Sequence, residues 1–356
     1  MRILLVSHRF PPDVGGIETM SGLLARGFVA AGHQVVVATR TTGHDAGIAA
    51  AGVEVLGDPD RRALLDAHRR ADVVLHNNPV TRYLWPLARH PRPVVIAVHT
   101  WVSRPDGSLA PQDRVKRWLL RRVPSIAVSR AIAAEVGPRA TVVHNSYRDD
   151  VFHATTPLDQ RTGDLVLVGR LVSDKGADLA IDALSLLHAR GHAATLTIVG
   201  DGPERAALEA QAQRAGLAGS VRFTGALDLA GVRAAFDSHR IALIPSRWRE
   251  PFGVVALEAM ACGAVPIGTA DGGLIEAIGD AGLTVPNGDS AALADAAERL
   301  LTDPALMTHL RDAGRAAAER ARPARMVDGY LAVLEEAVGR SRKAVARASA
   351  QAGGTA

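Results

Sequence analysis

Short apolar runs alternate with longer amphipathic segments along most of the chain, and this alternation restricts the fold more than any other feature. The runs are continuous in Val, Ile and Leu, as in strands that are buried on both faces. Alanine-rich segments separate most of them, which predicts parallel sheets covered by helices. The predicted strands are Ile3–Val6, Val35–Ala38, Val73–Leu75, Val94–Val98, Ile126–Val128, Thr141–Val143, Leu165–Val168, Leu196–Val199, Val221–Phe223, Ile241–Ile244 and Val265–Ile267.

One polar segment, His153–Asp164, interrupts the alternation and is the best candidate for a linker. It divides the chain into two α/β domains, predicted at 1–155 and 160–321. Ligands of such domains bind beyond the carboxyl ends of the strands, so two of them facing one another would form a binding cleft. The tail at 341–356 is predicted to be frayed or disordered.

The composition excludes several classes of protein. The 356 residues carry a formal net charge of +4, and a basic balance favours anionic ligands. Acidic and basic residues are interspersed, which is not the pattern of a nucleic-acid-binding surface. The single cysteine, Cys262, permits no internal disulfide, and the histidines show no metal-binding spacing, so no metal site is predicted. The apolar run after Met1 is too short for a signal peptide, and no run approaches a membrane span. A cytoplasmic protein is expected.

Two carboxylates lie in the segment from Ile244 to Pro266. Glu250 follows a short apolar strand in a loop rich in Pro and Gly, and Glu258 lies in the apolar helix after it. A strand–loop–helix turn places free N–H groups at the carboxyl edge of a sheet, and a buried carboxylate needs a partner. The plainer alternative is one capping and one solvated glutamate.

Two cations follow the first strand of the second domain, in the motif from Gly169 to Gly176. Arg170 and Lys175 lie at a strand end before a helix, where a guanidinium and an ammonium suit a diphosphate. The alternative is a pair of solvated surface cations.

Two glycine turns also open helices. Gly15 and Gly16 follow the first strand without the dinucleotide fingerprint, so NAD binding is disfavoured. Gly200, Asp201 and Gly202 form a turn that is equally compatible with ligand contact and with a structural cap.

His99 ends a buried strand, where a polar side chain can face a ligand. The run Arg114–Arg122 is basic and amphipathic. Membrane contact by this run is an alternative, but the solvated face of an ordinary helix is favoured.

The spacing of Glu250 and Glu258, together with the sequence G-R-x4-K-G at Gly169–Gly176, resembles the retaining glycosyltransferases of family 4 with their E-x7-E motif. The resemblance implies the GT-B fold, with two Rossmann-like doubly wound domains facing a central cleft. It also implies that a helix at about 322–340 packs back on the first domain. One departure is Asn145-Ser146-Tyr147, where the family often has Asn-Gly.

The resemblance also implies roles for the site residues. Glu258 would hold the ribose hydroxyls, Glu250 the sugar, and the two cations the diphosphate. The implied catalytic residues are His99, Arg170, Lys175 and Glu250, and the implied donor-binding residues are Gly16, Arg170, Lys175, Gly200, Asp201, Gly202, Glu250, Phe252, Gly253, Val254 and Glu258.

The implied function is metal-independent, retaining transfer of a hexose from a nucleotide diphosphate sugar to an acceptor hydroxyl. UDP-sugars are favoured over GDP-sugars as co-substrate, no other cofactor is expected, and the acceptor is expected to be a soluble small molecule or natural-product intermediate bound near Thr100–Gln112. The alternatives are a lipid-linked or polysaccharide acceptor at the inner membrane face, a non-catalytic nucleotide-sugar binding protein, and another GT-B enzyme. The sequence leaves the oligomeric state open.

Overall fold

Thirteen strands form two parallel sheets within the residues that the computed structural model describes, which are 1–13, 15–43, 45–103 and 111–353. Side chains are described at these positions except 81, 111, 112, 115 and 344–353. The strands are β1 (Arg2–Ser7), β2 (Gln34–Thr39), β3 (Glu54–Gly57), β4 (Val73–Asn77), β5 (Val94–Val98), β6 (Ser125–Ala127), β7 (Ala140–Val142), β8 (Gly163–Val168), β9 (Leu196–Val199), β10 (Val221–Gly225), β11 (His239–Ile244), β12 (Val265–Thr269) and β13 (Leu283–Val285).

Helices connect almost all of these strands, as parallel pairing requires. The helices are α1 (Gly16–Ala30), α2 (Ala46–Ala50), α3 (Arg61–Arg70), α4 (Pro86–Arg89), α5 (Pro111–Leu120), α6 (Arg130–Val136), α7 (Ala177–Ala189), α8 (Arg205–Arg214), α9 (Leu229–Ser238), α10 (Val254–Ala261), α11 (Leu274–Ile278), α12 (Ser290–Thr302), α13 (Pro304–Arg320) and α14 (Pro323–Gly353).

The first unit contains Met1–Asn145 and the final helix, and its seven strands run in the order β3-β2-β1-β4-β5-β6-β7. Helices α1 and α14 cover one face of this sheet with a core that includes Phe28 and Tyr330. They approach closely at Gly27, where an added Cβ would lie 2.3 Å from Cγ2 of Val327. A second apolar cluster under α3, built around Leu64, covers the other face. The sheet is therefore doubly wound.

The second unit contains Ser146–Arg322, and its six strands run in the order β10-β9-β8-β11-β12-β13. Its main core joins the strands to α7, α8, α12 and α13, while α9 and α10 contact β11. In both sheets the chain starts in the middle and reverses its direction of winding, at β1 and β4 in the first and at β8 and β11 in the second. The loops after these paired strands diverge to opposite faces, which leaves a crevice at the carboxyl edge.

All eleven strands expected from the apolar runs are present, and two further strands were missed. β3 and β13 are short edge strands, and most of their residues are partly or fully exposed. Each contains only two apolar residues, Val55 and Leu56 in β3 and Leu283 and Val285 in β13. The apolar run that identified the other strands is therefore too short in these two.

The boundary between the units lies at Asn145 and Ser146, before the polar segment predicted as the linker. That segment belongs to the second unit because the buried carboxylate of Asp237 binds it. Asp237 Oδ1 accepts hydrogen bonds from the backbone N–H groups of Thr155 at 2.8 Å and Thr156 at 3.1 Å. The side chain of Arg161 is also buried and donates to the carbonyl oxygen of Cys262 at 2.6 Å.

The terminal helix α14 belongs to the first unit and continues to Gly353. Residues 341–353 of the tail predicted to be frayed or disordered lie in this helix, and 354–356 lie outside the described residues. This stretch is rich in Ala, Arg and Lys, which favour helix, and it extends a helix that is already formed, so it bears no nucleation cost.

Replacing Asp237 with alanine should destabilise the protein by about 3 kcal/mol, because Arg161 would remain buried without its charge partner. The hydrogen bonds from the segment at 155–156 would also be lost. Urea unfolding followed by circular dichroism measures the change. The matched control is Asp159→Ala, an exposed acid of the same segment, which should change stability by less than about 0.5 kcal/mol. Equal effects of both substitutions would contradict this account.

Candidate active site

Loops at the carboxyl edge of the second sheet approach one another closely, and glycine makes these approaches possible. An added Cβ at Gly176 would lie 2.1 Å from the carbonyl oxygen of Pro245, which follows β11. An added Cβ at Gly200 would lie 1.9 Å from the carbonyl oxygen of Gly169. Both glycines have positive φ, of 67° and 142°. No other residue type combines these angles with this space, so the loops after β8, β9 and β11 meet at one place.

The two predicted motifs are joined by an ion pair between Lys175 and Glu250. Lys175 Nζ lies 2.6 Å from Glu250 Oε1, and both side chains are mostly shielded from solvent. The same oxygen accepts a hydrogen bond of 2.9 Å from the hydroxyl of Ser246, whose side chain is buried. Among the described residues, none donates to Glu250 Oε2. The carboxylate is thus held by one oxygen and leaves the other accessible to a ligand.

Arg170 lies on the same loop as Lys175 and is exposed. Its guanidinium makes neither a hydrogen bond nor an ion pair with any residue of the described ranges. An unpaired cation beside the end of β8 can bind an anion without first breaking an internal contact.

Glu258 lies in α10 between buried neighbours such as Leu257 and Ala259. The described part of the chain offers its carboxylate no hydrogen bond and no ion pair. Burial raises the pKa of Glu258 to about 7, because desolvation disfavours the charged form. The group is therefore divided between its acid and its carboxylate near neutral pH, and a ligand with hydroxyl groups would supply the missing donors.

The first turn of α10 places backbone N–H groups beside these carboxylates. Gly253 precedes the helix with a φ of 102°, and Val254 is its first residue. Phe252 is buried, so this loop can offer a ligand its backbone but not the aromatic ring. The N–H groups of a first turn have no partner within the helix and attract anions.

An ion pair that the sequence did not indicate holds the loop after β11 to α7. The guanidinium of Arg247 donates to both carboxylate oxygens of Asp178 at 2.6 Å, and the hydrogen bonds from Arg247 lower the pKa of Asp178. The backbone N–H of Arg247 also donates to the carbonyl oxygen of Asp174 at 2.8 Å. Each residue alone resembles a surface charge, and no local pattern links positions this far apart in the chain.

The turn between β9 and α8 has a mainly structural role. Asp201 is exposed, and its Oδ1 accepts a 2.8 Å hydrogen bond from the N–H of Gly202. An added Cβ at Gly202 would lie 2.3 Å from the carbonyl oxygen of Leu171. These contacts favour the structural alternative for the Asp201 side chain, which caps its own turn.

Two predicted site residues, Gly16 and His99, belong to the first unit. Gly16 opens α1, is exposed, and an added Cβ would meet no atom within 4 Å. His99 follows β5 and is buried. Its Nε2 lies 2.6 Å from Asn77 Oδ1, and its backbone N–H donates to Asn78 Oδ1 at 2.8 Å. Val14 of the glycine loop and the middle of the expected acceptor segment, 104–110, lie outside the described residues.

The departure at Asn145-Ser146-Tyr147 has a structural explanation. Ser146 does not have the positive φ that would require glycine. Its buried hydroxyl donates to the carbonyl oxygen of Ala321 at 2.6 Å, within the second unit. The serine therefore ties together the two places where the chain passes between units.

The basic run forms helix α5 and the turn after it. Trp118 is exposed at 56%, and the guanidinium of Arg122 lies 4.2 Å from the centre of its ring. No helix in the described ranges is both long enough and apolar enough to cross a bilayer. Nor do the described residues contain a group of three or more His, Cys, Asp or Glu side chains arranged to hold a metal ion.

Comparison with known proteins identifies the family. The model for Glycosyltransferase Family 4 matches residues 14–147, and the model for Glycosyl transferases group 1 matches residues 149–317. Glycogen synthase of Mycobacterium tuberculosis is 33% identical over 91% of this chain and 89% of its own length. The phosphatidyl-myo-inositol mannosyltransferase of Mycobacterium leprae is 32% identical over 67% of this chain and 65% of its own length. The 2-deoxystreptamine glucosyltransferase of Streptomyces kanamyceticus is 33% identical over 56% of this chain and 57% of its own length.

Solved structures agree on the fold. Anabaena HepE in complex with UDP has a TM-score of 0.78 and 22% identity, covering 94% of this chain and 100% of that one. WaaG, a glycosyltransferase of lipopolysaccharide biosynthesis, has a TM-score of 0.68 and 18% identity, covering 94% of this chain and 99% of that one. The chain belongs to the family 4 glycosyltransferases and has the GT-B fold.

Proposed function

We propose that this glycosyltransferase moves a hexose from a nucleotide diphosphate sugar to an acceptor hydroxyl, with retention of configuration and without a metal ion or other cofactor. The observation that carries the proposal is the cluster at the carboxyl edge of the second sheet. The elements that meet at the strand-order reversal carry the ion pair of Lys175 with Glu250. They also carry Arg170 and Glu258, whose side chains have no hydrogen-bond or ion-pair partner among the described residues. These groups match the parts of such a donor.

The diphosphate would bind Arg170 and Lys175. Breaking the bond between the anomeric carbon and the phosphate oxygen leaves negative charge on the diphosphate and positive charge on the sugar ring. Two cations and the N–H groups of α10 stabilise that negative charge from one side. They supply the charge that a divalent metal provides in other phosphate sites, which supports metal independence. EDTA should therefore leave the rate unchanged.

The two glutamates would recognise hydroxyl groups. Glu250 is fixed through Oε1 by Lys175 and Ser246, and its Oε2 can accept from the sugar. Glu258 would accept from the ribose hydroxyls and gain donors that the described residues do not provide. In the proposed mechanism neither glutamate acts as a general acid or base. The acceptor oxygen forms the new bond to the anomeric carbon, and its proton goes to the leaving phosphate on the same face, which retains the configuration.

We propose a UDP-sugar as donor in preference to a GDP-sugar. We also propose a soluble small molecule as acceptor, in the cytoplasm, and the relative named a 2-deoxystreptamine glucosyltransferase supports an acceptor of this kind. The exposed Trp118 stacked under Arg122 supports the alternative of a lipid-linked acceptor at the inner membrane face. Co-sedimentation with anionic vesicles, lost in Trp118→Ala, would favour that alternative.

A thermal-shift panel of UDP, GDP, ADP and TDP, each with its glucose conjugate, tests the donor. The expected result is the largest stabilisation by UDP compounds, because a ligand that binds only the folded state raises the melting temperature. Consumption of the stabilising sugar nucleotide must then require an acceptor. Binding without consumption would instead identify a non-catalytic binding protein, and consumption without an acceptor would indicate another GT-B enzyme.

Replacing Arg170 with alanine should lower kcat roughly a hundred- to a thousandfold, as expected for one electrostatic stabiliser of the departing group. Folding should be unaffected, since the side chain is exposed and makes no hydrogen bond or ion pair with the residues that the structure describes. Steady-state kinetics with saturating donor measure the loss. Arg299→Ala, an exposed arginine on α12, should retain wild-type kinetics. A turnover for Arg170→Ala within a few-fold of wild type would rule out the assignment.

Replacing Glu258 with glutamine should stabilise the free protein while it weakens nucleotide binding. The folded-state pKa of Glu258 is raised to about 7, so ionisation costs stability as pH rises from the unfolded-state value of 4.5 through 7. Relative to wild type, the variant should gain less than about 1 kcal/mol near pH 5 and about 3 kcal/mol at pH 8. Urea unfolding at both pH values and calorimetric titration with the nucleotide measure the two effects.

Glu250→Gln is the control for this trade-off. It removes the charge partner of Lys175, so it should give no gain in stability at pH 8. Unchanged nucleotide affinity in Glu258→Gln would remove Glu258 from the donor site.

A further inference from the structure

The turn that carries Lys175 is too short to fix its own position. It is a single 3₁₀ turn, Ser173–Lys175, and Gly176 ends it in the left-handed region with a φ of 67°. The backbone N–H of Lys175 donates to the carbonyl oxygen of Val172 at 3.0 Å. A 3₁₀ turn has poor hydrogen-bond geometry of its own, so the placement of Lys175 depends on contacts with other loops.

Arg247, in the loop after β11, supplies such contacts. Its backbone N–H donates to the carbonyl oxygen of Asp174 at 2.8 Å, and the backbone N–H of Trp248 donates to the same oxygen at 3.3 Å. Nη1 of Arg247 donates to the carbonyl oxygen of Ser173 at 3.2 Å. Among the described residues, every hydrogen bond that reaches these two carbonyl groups from beyond residues 173–176 comes from Arg247 or Trp248.

Asp178, in the first turn of α7, fixes the plane of this guanidinium. Nη1 and Nη2 of Arg247 each donate to one carboxylate oxygen of Asp178 at 2.6 Å. A forked pair of this kind fixes the geometry of both groups, so Nη1 is held where it also meets Ser173. In the chain, Lys175 lies between Ser173 and Asp178. Arg247 therefore binds this segment on both sides of Lys175.

The main chain of Glu250 is held from another direction. Its carbonyl oxygen accepts a 2.7 Å hydrogen bond from the N–H of Gly273, and an added Cβ at Gly272 would lie 2.4 Å from the same oxygen. The loop after β12 thus fixes Glu250. Arg247 lies three residues earlier in the same loop as Glu250, so its contacts set the distance between this fixed main chain and the turn of Lys175.

We propose that Arg247 is a positioning residue that holds the turn of Lys175 against the loop after β11 and so keeps Lys175 paired with Glu250. The proposal deepens the proposed function and rests on it for what these two residues do toward the diphosphate and the sugar. Lys175 carries its charge on a flexible four-carbon stem. A displaced turn would therefore let the ammonium leave Glu250, although both side chains are still present.

NMR of the full-length protein labelled with ¹³C,¹⁵N-lysine tests this without any substrate, because the chain has only three lysines, Lys116, Lys175 and Lys343. Lys175→Arg identifies the Lys175 signal, and Glu250→Gln shows where that signal lies without the ion pair. In Arg247→Gln the signal should move most of the way to that position. A general loss of stability would not move a signal of the folded state. An unmoved Lys175 signal in Arg247→Gln would overturn the proposal.

Asp178→Asn is a second variant, which decides the question if Arg247→Gln does not fold. It removes the charged partner of the fork and leaves the backbone contacts of Arg247 in place. The Lys175 signal should move in the same direction as in Glu250→Gln, by a smaller amount. If the signal stayed at its wild-type position, the proposal would fail.

The matched control is Arg190→Gln, at the other end of α7. The side chain of Arg190 is exposed to a similar extent as that of Arg247. It pairs with Asp295 at 2.7 Å and with Glu298 at 2.6 Å, both on α12. Its loss should leave the Lys175 signal in place. A displacement as large as that in Arg247→Gln would contradict a specific role for Arg247.

Calorimetric titration with UDP-glucose tests the consequence for the proposed site. Arg247→Gln should weaken binding at least about tenfold, the effect of losing one hydrogen bond to a charged group. In a Lys175→Ala background the same substitution should change the affinity less than about twofold, because the side chain that it positions is already gone. A full further loss in that background would contradict a role through Lys175.

The two proposals can fail separately. Wild type that binds neither UDP nor UDP-glucose would contradict the proposed donor. The lysine signals are measured without ligand, so they would still decide whether Arg247 keeps Lys175 on Glu250.

Discussion

The close approach of backbone segments beyond β8 and β11 is the constraint on which the second unit's site depends. Gly176 lies against the carbonyl oxygen of Pro245, and only a residue without a Cβ can occupy that position. This approach brings Lys175 within ion-pair distance of Glu250. The ion pair between Arg247 and Asp178 also links the loop after β11 to α7. Without these contacts the charged side chains would lie on separate loops of an ordinary α/β domain.

The two units differ in the kind of polar groups they present. The second unit combines cations with carboxylates and leaves several groups without an internal partner, as suits a ligand that carries both phosphate and hydroxyl groups. The first unit presents His99, which is buried and hydrogen-bonded to Asn77 and Asn78, and burial lowers the pKa of its imidazole to about 4.

Much of this arrangement could be predicted from local pattern. Central strands are buried on both faces and therefore read as apolar runs, and the residues at their carboxyl ends share one edge. This reasoning found Arg170, Lys175, Glu250 and Glu258. It could not find Asp237, which binds the segment at 155–156 and so moves the domain boundary. A carboxylate in a helix gives no sign of the distant N–H groups that it will accept.

The sequence by itself determined the parallel α/β class, the family and the residue types at the strand ends, because periodicity and short motifs are local properties. Only the tertiary structure decided which of those residues meet. It paired Lys175 with Glu250 and left Arg170 without an ion-pair partner in the described ranges, since the partners in an ion pair are decided by distance in space. It also brought Ser21, Asn77 and His99 into one set of hydrogen-bonded side chains, because residues this far apart in sequence meet only in the folded chain.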